Sequence, residues 1–241
     1  MGLPKIDSPV YELDLPLSKK HIRFRPFLVK EQKNLLMAFE ADDADTINNN
    51  IRQVLINCTI DGKIDIDNLP IVDVEYYFLQ LRARSVSEIV DATYRCNNEV
   101  NDEECGNAMK TKINILEMKV EKDESIKDII QLTDSISVKL KYPPFSAIRK
   151  AANTDNITDL AFEMIMDSID VIYDGQQSYL AKDYSREELT EFLESLNQQQ
   201  FKKIEYFFEN LPKLNKQFTL KCSKCGFDHD LYYEGLESFF D

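Results

Sequence analysis

The stretch 221-KCSKCGFDHD-230 holds two thiols, Cys222 and Cys225, with Gly226 directly after them. Alternating segments flank it, KQFTLKC before and HDLYYEG after, so the pair is expected at the tip of a hairpin. Two thiolates make half of a tetrahedral metal site. The other half is found earlier in the chain. Cys96 closes the alternating segment SEIVDATYRC, and Cys105 lies near the end of the polar loop NNEVNDEECGN that follows. The segment 109-MKTKINILEMKVE-121 reads as one strand returning from that loop. Cys96, Cys105, Cys222 and Cys225 are therefore the expected metal ligands, two from each hairpin. Four sulfurs at about 2.3 Å suit Zn2+. Such a set leaves no position for water or substrate, so the ion is expected to be structural. It would tie the sheet near residue 100 to the chain end. Two other readings compete. The four thiols could be free, or Cys222 and Cys225 could form a redox pair. A redox Cys-x-x-Cys opens a helix after a strand, whereas strands flank this one on both sides. His229 is a further candidate ligand in place of one cysteine.

Composition sets the outer bounds. At 241 residues, 43% apolar and 30% charged, the chain is globular and long enough to bury a sizeable core. No apolar run approaches the roughly 20 residues that cross a bilayer. The first residues, MGLPKIDSPVYELDL, lack the basic-then-apolar pattern of a leader, so export is not expected. The odd count of five cysteines then fits a reducing compartment. A net charge of −14 with scattered lysines and arginines opposes binding to a phosphate backbone. It agrees with simple solubility or with an acidic face for a basic partner.

The pattern along the chain predicts an α+β protein in four regions. Residues 1–85 read as a hairpin (10–15 and 21–27) followed by helices at 29–41, about 45–59 and 70–85. On the second helix Ile47, Ile51, Leu55 and Cys58 share a face, which makes Cys58 a core residue. On the third, Val74, Phe78 and Leu81 form the buried stripe. Residues 86–145 are strand-rich and carry the first Cys pair, with further strands at 126–132 and 135–142 and a stop at YPPF. Residues 146–212 read as helical throughout. There TDLAFEMIMDSIDVIYD places Leu160, Met164, Ile165, Ile169 and Ile172 at helical spacing, and SREE at 185–188 is a capping box. Residues 213–241 hold the C-terminal Cys hairpin and a tail. With the middle strands this hairpin is expected to form a zinc-ribbon-like unit.

No catalytic pattern stands out. The two histidines, His21 and His229, have no nucleophile pattern beside them. There is no G-x-S-x-G, Walker loop, G-x-G-x-x-G or H-E-x-x-H, and six glycines leave few places for backbone to approach a phosphate. No enzyme is expected.

Four blocks, in order, carry a resemblance. They are LPLSKKHIRFRPFLVKEQKNLLMAFE at 15–40, VDVEYYFLQLRARSVSE at 72–88, QLTDSISVKLKYPPF at 131–145, and CSKCG with the closing EGLESFF. Together they resemble the baseplate hub and hub-assembly proteins of T-even-type contractile-tailed bacteriophages. The 25–30 block and the final Gly-Leu-Glu-Ser-Phe-Phe are the most specific parts. The resemblance implies a non-enzymatic tail-morphogenesis protein, either a hub subunit or an assembly chaperone. It would be made in the host cytoplasm and would bind other baseplate hub proteins. Nucleic acid, membrane and small-molecule substrates are not expected as partners. The reading from another class is a zinc-ribbon nucleic-acid or transcription accessory protein. That role needs a basic, aromatic-interleaved face. Near the cysteines only 213-KLNKQFTLKCSK-224 is locally basic, and DHDLYYEGLE immediately opposes it. In the tail, Leu236, Phe239 and Phe240 fall at i, i+3 and i+4, one face of a helical turn. They are expected to anchor a hub partner in the helix-in-groove manner, or else to cap the chain's own core.

Overall fold

The computed structural model describes residues 6–41, 43–60, 62, 64–148 and 157–235. It is a mixed helix-and-sheet protein built from several small antiparallel sheets. The tail residues Leu236, Phe239 and Phe240 lie outside the described residues.

The chain opens with the expected hairpin, β1 (Tyr11–Asp14) paired with β2 (His21–Phe24). Its outer loop is pinned from below. Both carboxylate oxygens of the fully buried Asp73 accept backbone N–H groups, Leu17 and Ser18, at 2.8 Å each. Three helices follow: α1 (Val29–Glu40), α2 (Ala44–Cys58) and α3 (Ile71–Ser85). Asp43 caps α2 by accepting from the Thr46 N–H, and Pro70 precedes α3, where its missing N–H costs nothing. Hairpin and helices share one core, with Phe24, Leu55, Cys58, Val74, Tyr77, Phe78 and Leu81 all essentially inaccessible. Phe145, from the YPPF segment, also enters it.

A second sheet has the order β11-β10-β9-β8, with β8 (Ile129–Gln131), β9 (Ile136–Leu140), β10 (Ile169–Asp174) and β11 (Gln177–Leu180). The helices α4 (Ile157–Ser168), α5 (Arg186–Glu194) and α6 (Gln198–Glu209) carry the apolar residues that share its core. The Ser185–Glu188 capping box that opens α5 forms as expected.

Two element readings need correction. The helix expected through residue 174 stops at Ser168, and Ile169 and Ile172 lie on β10. β-branched residues favour the strand, and Asp174-Gly175 supplies the tight turn to β11, with Gly175 at φ 59°. The strand expected over 109–121 is broken. β6 (Ala108–Asn114) ends where the Asn114 side chain accepts from the Leu116 N–H and starts a 3-10 turn at Ile115–Glu117. The chain leaves that turn as β7 (Lys119–Glu121), which joins a different sheet.

Candidate metal centre

Two hairpins meet at the centre. One pairs β3 (Ile89–Arg95) with β6, and a small excursion, β4 (Glu99–Val100) with β5 (Glu103–Glu104), lies between them. The other pairs β12 (Lys213–Lys221) with β13 (Asp228–Glu234), and β7 adds to the outer edge of β12. Between them Tyr94, Phe218 and Tyr233 pack ring against ring, at centroid distances of 5.7 to 6.3 Å. The hairpins are thus docked through aromatic side chains below the cysteines.

Both cysteine turns are built on one frame. Cys96 directly follows β3 and Cys222 directly follows β12. Each first cysteine uses its N–H and C=O locally. Cys96 N–H donates to Asn107 C=O (2.8 Å) and Cys96 C=O accepts from Gly106 N–H (2.9 Å). Cys222 N–H donates to Phe227 C=O (2.8 Å) and Cys222 C=O accepts from Gly226 N–H (2.9 Å). The glycine after each second cysteine has a left-handed backbone, φ 63° at Gly106 and 75° at Gly226, a conformation that L side chains rarely hold. Each turn therefore reads strand–Cys, loop, Cys-Gly-x–strand. Only the loop length differs, because the β4–β5 excursion lengthens the first.

The four thiols converge. The Sγ atoms of Cys96, Cys105, Cys222 and Cys225 all lie within 4.8 Å of one another. The contact pairs cross between hairpins, with Cys96–Cys225 at 3.6 Å and Cys105–Cys222 at 3.9 Å. Sulfurs bonded tetrahedrally at ~2.3 Å to one ion would sit about 3.8 Å apart, so this donor set has the size and softness for a thiophilic ion such as zinc. Three of the cysteines are buried and Cys225 is half-buried.

Side-chain amides donate to two of the sulfurs. Asn107 Nδ2 donates to Cys222 Sγ (3.4 Å) and Asn98 Nδ2 to Cys225 Sγ (3.7 Å). The Cys225 backbone N–H, with those of Lys224 and the Asn107 amide, outweighs burial at Cys222 and holds its thiol down to about 6. Burial pushes Cys96 up to about 12. Lys224 Nζ donates to the Cys105 carbonyl (2.8 Å), tying one turn to the other. His229 Nε2 stands 3.1 Å from Cys96 Sγ and its ring lies edge-on to Phe227. That is a hydrogen-bonding distance, and the group of converging sulfur ligands consists of the four cysteines without His229. Cys58 is elsewhere, in the N-terminal core, where burial raises its thiol to about 11.

Asn98 and Asn107 were missed by the sequence reading. A signal was present, since each asparagine stands two residues after a cysteine in Cys-Asn-Asn and Cys-Gly-Asn. The shared Cys-Gly-x exit of both turns was a second signal.

The model for T4 bacteriophage base plate proteins matches residues 8–241, which is nearly the whole chain. The chain belongs to the T4 bacteriophage base plate protein family. Searches of curated proteins and of solved structures gave no match. The base plate family match includes both cysteine turns, the N-terminal hairpin and the intervening helices. The family assignment places the chain among phage tail baseplate proteins. Among the described residues, no helix of this base plate protein is long and apolar enough to cross a membrane.

Proposed function

We propose that this chain is a non-enzymatic baseplate hub assembly factor or hub component, closed by one structural zinc ion. The match to base plate proteins over residues 8–241 carries the tail role. The convergence of four thiols from two hairpins supports the metal. In this reading Cys96, Cys105, Cys222 and Cys225 hold the ion as four thiolates in a zinc-ribbon-like unit. Bound there, zinc supplies a fixed link between the β3–β6 and β12–β13 hairpins and no open coordination position. Asn98, Asn107 and His229 orient the sulfurs and offset their charge. The protein acts in the host cytoplasm during tail assembly and binds other hub proteins. Nucleic acid, membrane and small molecules are not among its partners in this reading, and the −14 net charge opposes the first of these. The tail residues Leu236, Phe239 and Phe240 serve as an apolar anchor for a hub partner.

Mass spectrometry of purified virions against infected-cell lysate separates the two hub roles. An assembly factor is present in lysate and absent from particles, and a hub component is enriched in particles. Finding it in neither tail intermediates nor particles would defeat the proposal. Truncation after Glu234 tests the anchor. The melting temperature should change little while hub assembly fails in complementation, and a large loss of thermal stability would assign the tail to the chain's own core.

A further inference from the structure

The second sheet ends at β8, which pairs only with β9 among the described strands. Leu140 N–H donates to Asp128 C=O (2.7 Å) and Leu132 N–H to Ile136 C=O (2.9 Å), with Ile130 opposite Val138 between them. Residues 128, 130 and 132 therefore turn their backbone groups toward β9. In an antiparallel ladder the intervening residues, Ile129 and Gln131, turn theirs to the other side. The Gln131 carbonyl bears this out, because it accepts from Lys203 Nζ, a side chain of α6, at 2.8 Å.

A groove of about 430 Å³ runs between this edge and α6. Ile126, Tyr206 and Phe207 give it an apolar floor and wall, and Ile129 is half exposed at its rim. Lys127, Lys202 and Lys203 also line it, and among the described residues no carboxylate does. In a chain of net charge −14 this is a local reversal of sign. An open strand edge invites a further strand, and a lysine over it is one way a protein guards against unwanted pairing. Here three lysines with no acidic partner among the described residues, beside an apolar floor, do more than guard. They select for negative charge.

We propose that this edge receives an extended acidic segment of a partner protein as a fifth strand. The incoming backbone bonds Ile129 and Gln131, and Lys203 leaves the Gln131 carbonyl for a carboxylate on the new strand. Apolar side chains at alternate positions of that strand lie against Tyr206 and Phe207, and the other positions present carboxylates to Lys127 and Lys202. This surface is separate from the cysteine centre and does not depend on metal.

The test uses the full-length protein and a fluorescein-labelled probe peptide of alternating Glu and Val, read by fluorescence polarisation at low and physiological salt. A Lys-Val peptide is the control. Two variants are compared with wild type after their melting temperatures are recorded. I129P removes an outward N–H, which edge strands tolerate, together with the Ile129 side chain at the groove rim. The double variant K202E/K203E reverses charge on the surface of α6. The Glu-Val peptide should bind, bind more weakly in salt, and lose about tenfold or more in affinity with either variant. If I129P does not fold, the charge variant decides. No binding, equal binding of the Lys-Val peptide, or affinity unchanged by the variants would overturn the proposal. So would a wild-type dimer in sedimentation that I129P dissolves, since the edge would then belong to a second copy of the chain.

Discussion

Glu31 is a buried acid that the pattern of α1 does not announce. Its side chain is 3% exposed and accepts from Arg25 Nη2 (3.1 Å) and from the Leu28 N–H (2.7 Å). Arg25 also donates to the carbonyls of Pro26 and Asn57, so one guanidinium joins β2, α1 and the end of α2. Burial opposes ionisation of Glu31, but the hydrogen bonds from Arg25 and Leu28 and the charges of Arg25 and Lys30 outweigh it, leaving the carboxyl below its usual range. A depressed folded-state value adds stability above the unfolded value, near 4.5, and that stability fades as pH falls through the folded value. Glu31→Gln should therefore lower the unfolding free energy measured in urea at pH 7 by about 2 kcal/mol, and by less as pH falls below 4. Equal losses at pH 7 and pH 3.5 would contradict the electrostatic account. Residues of this kind are half legible. Arg25 and Glu31 can be read as charges, but their pairing depends on a β2–α1 turn that brings them together.

At the scale of elements, short polar side chains decide where segments end. Periodicity over 109–121 reads as one strand because apolar residues alternate across it. Asn114 interrupts it by accepting from the Leu116 N–H, and the redirected chain reaches β12 as β7, with Lys213 opposite Glu121. Asn114→Ala should cost about 1 kcal/mol in chemical denaturation, as the loss of a capping acceptor does. Amide exchange should rise at Lys119–Glu121, the strand that the turn aims. Unchanged exchange there would show that β7 docks without the turn. The α4–β10 boundary follows the same logic in the other direction. Leu160, Met164 and Ile165 continue to Ile169 at helical spacing, so the stripe alone cannot show the switch. The decisive marks were Asp174-Gly175 and the β-branched run before it, local features that outvote the stripe because a hairpin there completes the sheet with β9.

For the whole molecule the cysteine centre is the long-range tie, joining segments more than a hundred residues apart. Freshly purified reduced protein should carry about one zinc per chain by elemental analysis. Cys222→Ser should release it and lower the melting temperature, by an amount corresponding to several kcal/mol. Cys58→Ala should leave zinc content unchanged, because Cys58 is buried in the N-terminal core with its thiol raised to about 11. Absence of zinc from the reduced wild type, or retention of it by Cys222→Ser, would defeat the site.

Local patterning alone determined much of this protein. The opening hairpin, the bounds of α1 to α3 within a residue or two, the Ser185 cap and the four cysteines all follow from spacing, capping chemistry and turn residues. These depend on interactions a few residues long, or on a side chain as rare and chemically specific as a thiol. Only the tertiary structure decided the pairing across hairpins of Cys96 with Cys225 and of Cys105 with Cys222. It also placed Asn98, Asn107 and His229 against the sulfurs and turned the odd residues of β8 to a lysine-lined groove. The physical reason is the same in each case. A hydrogen bond or a sheet edge is defined by which distant segments pack together, and the packing energy that chooses them is spread over many apolar contacts, no one of which leaves a local mark in the sequence.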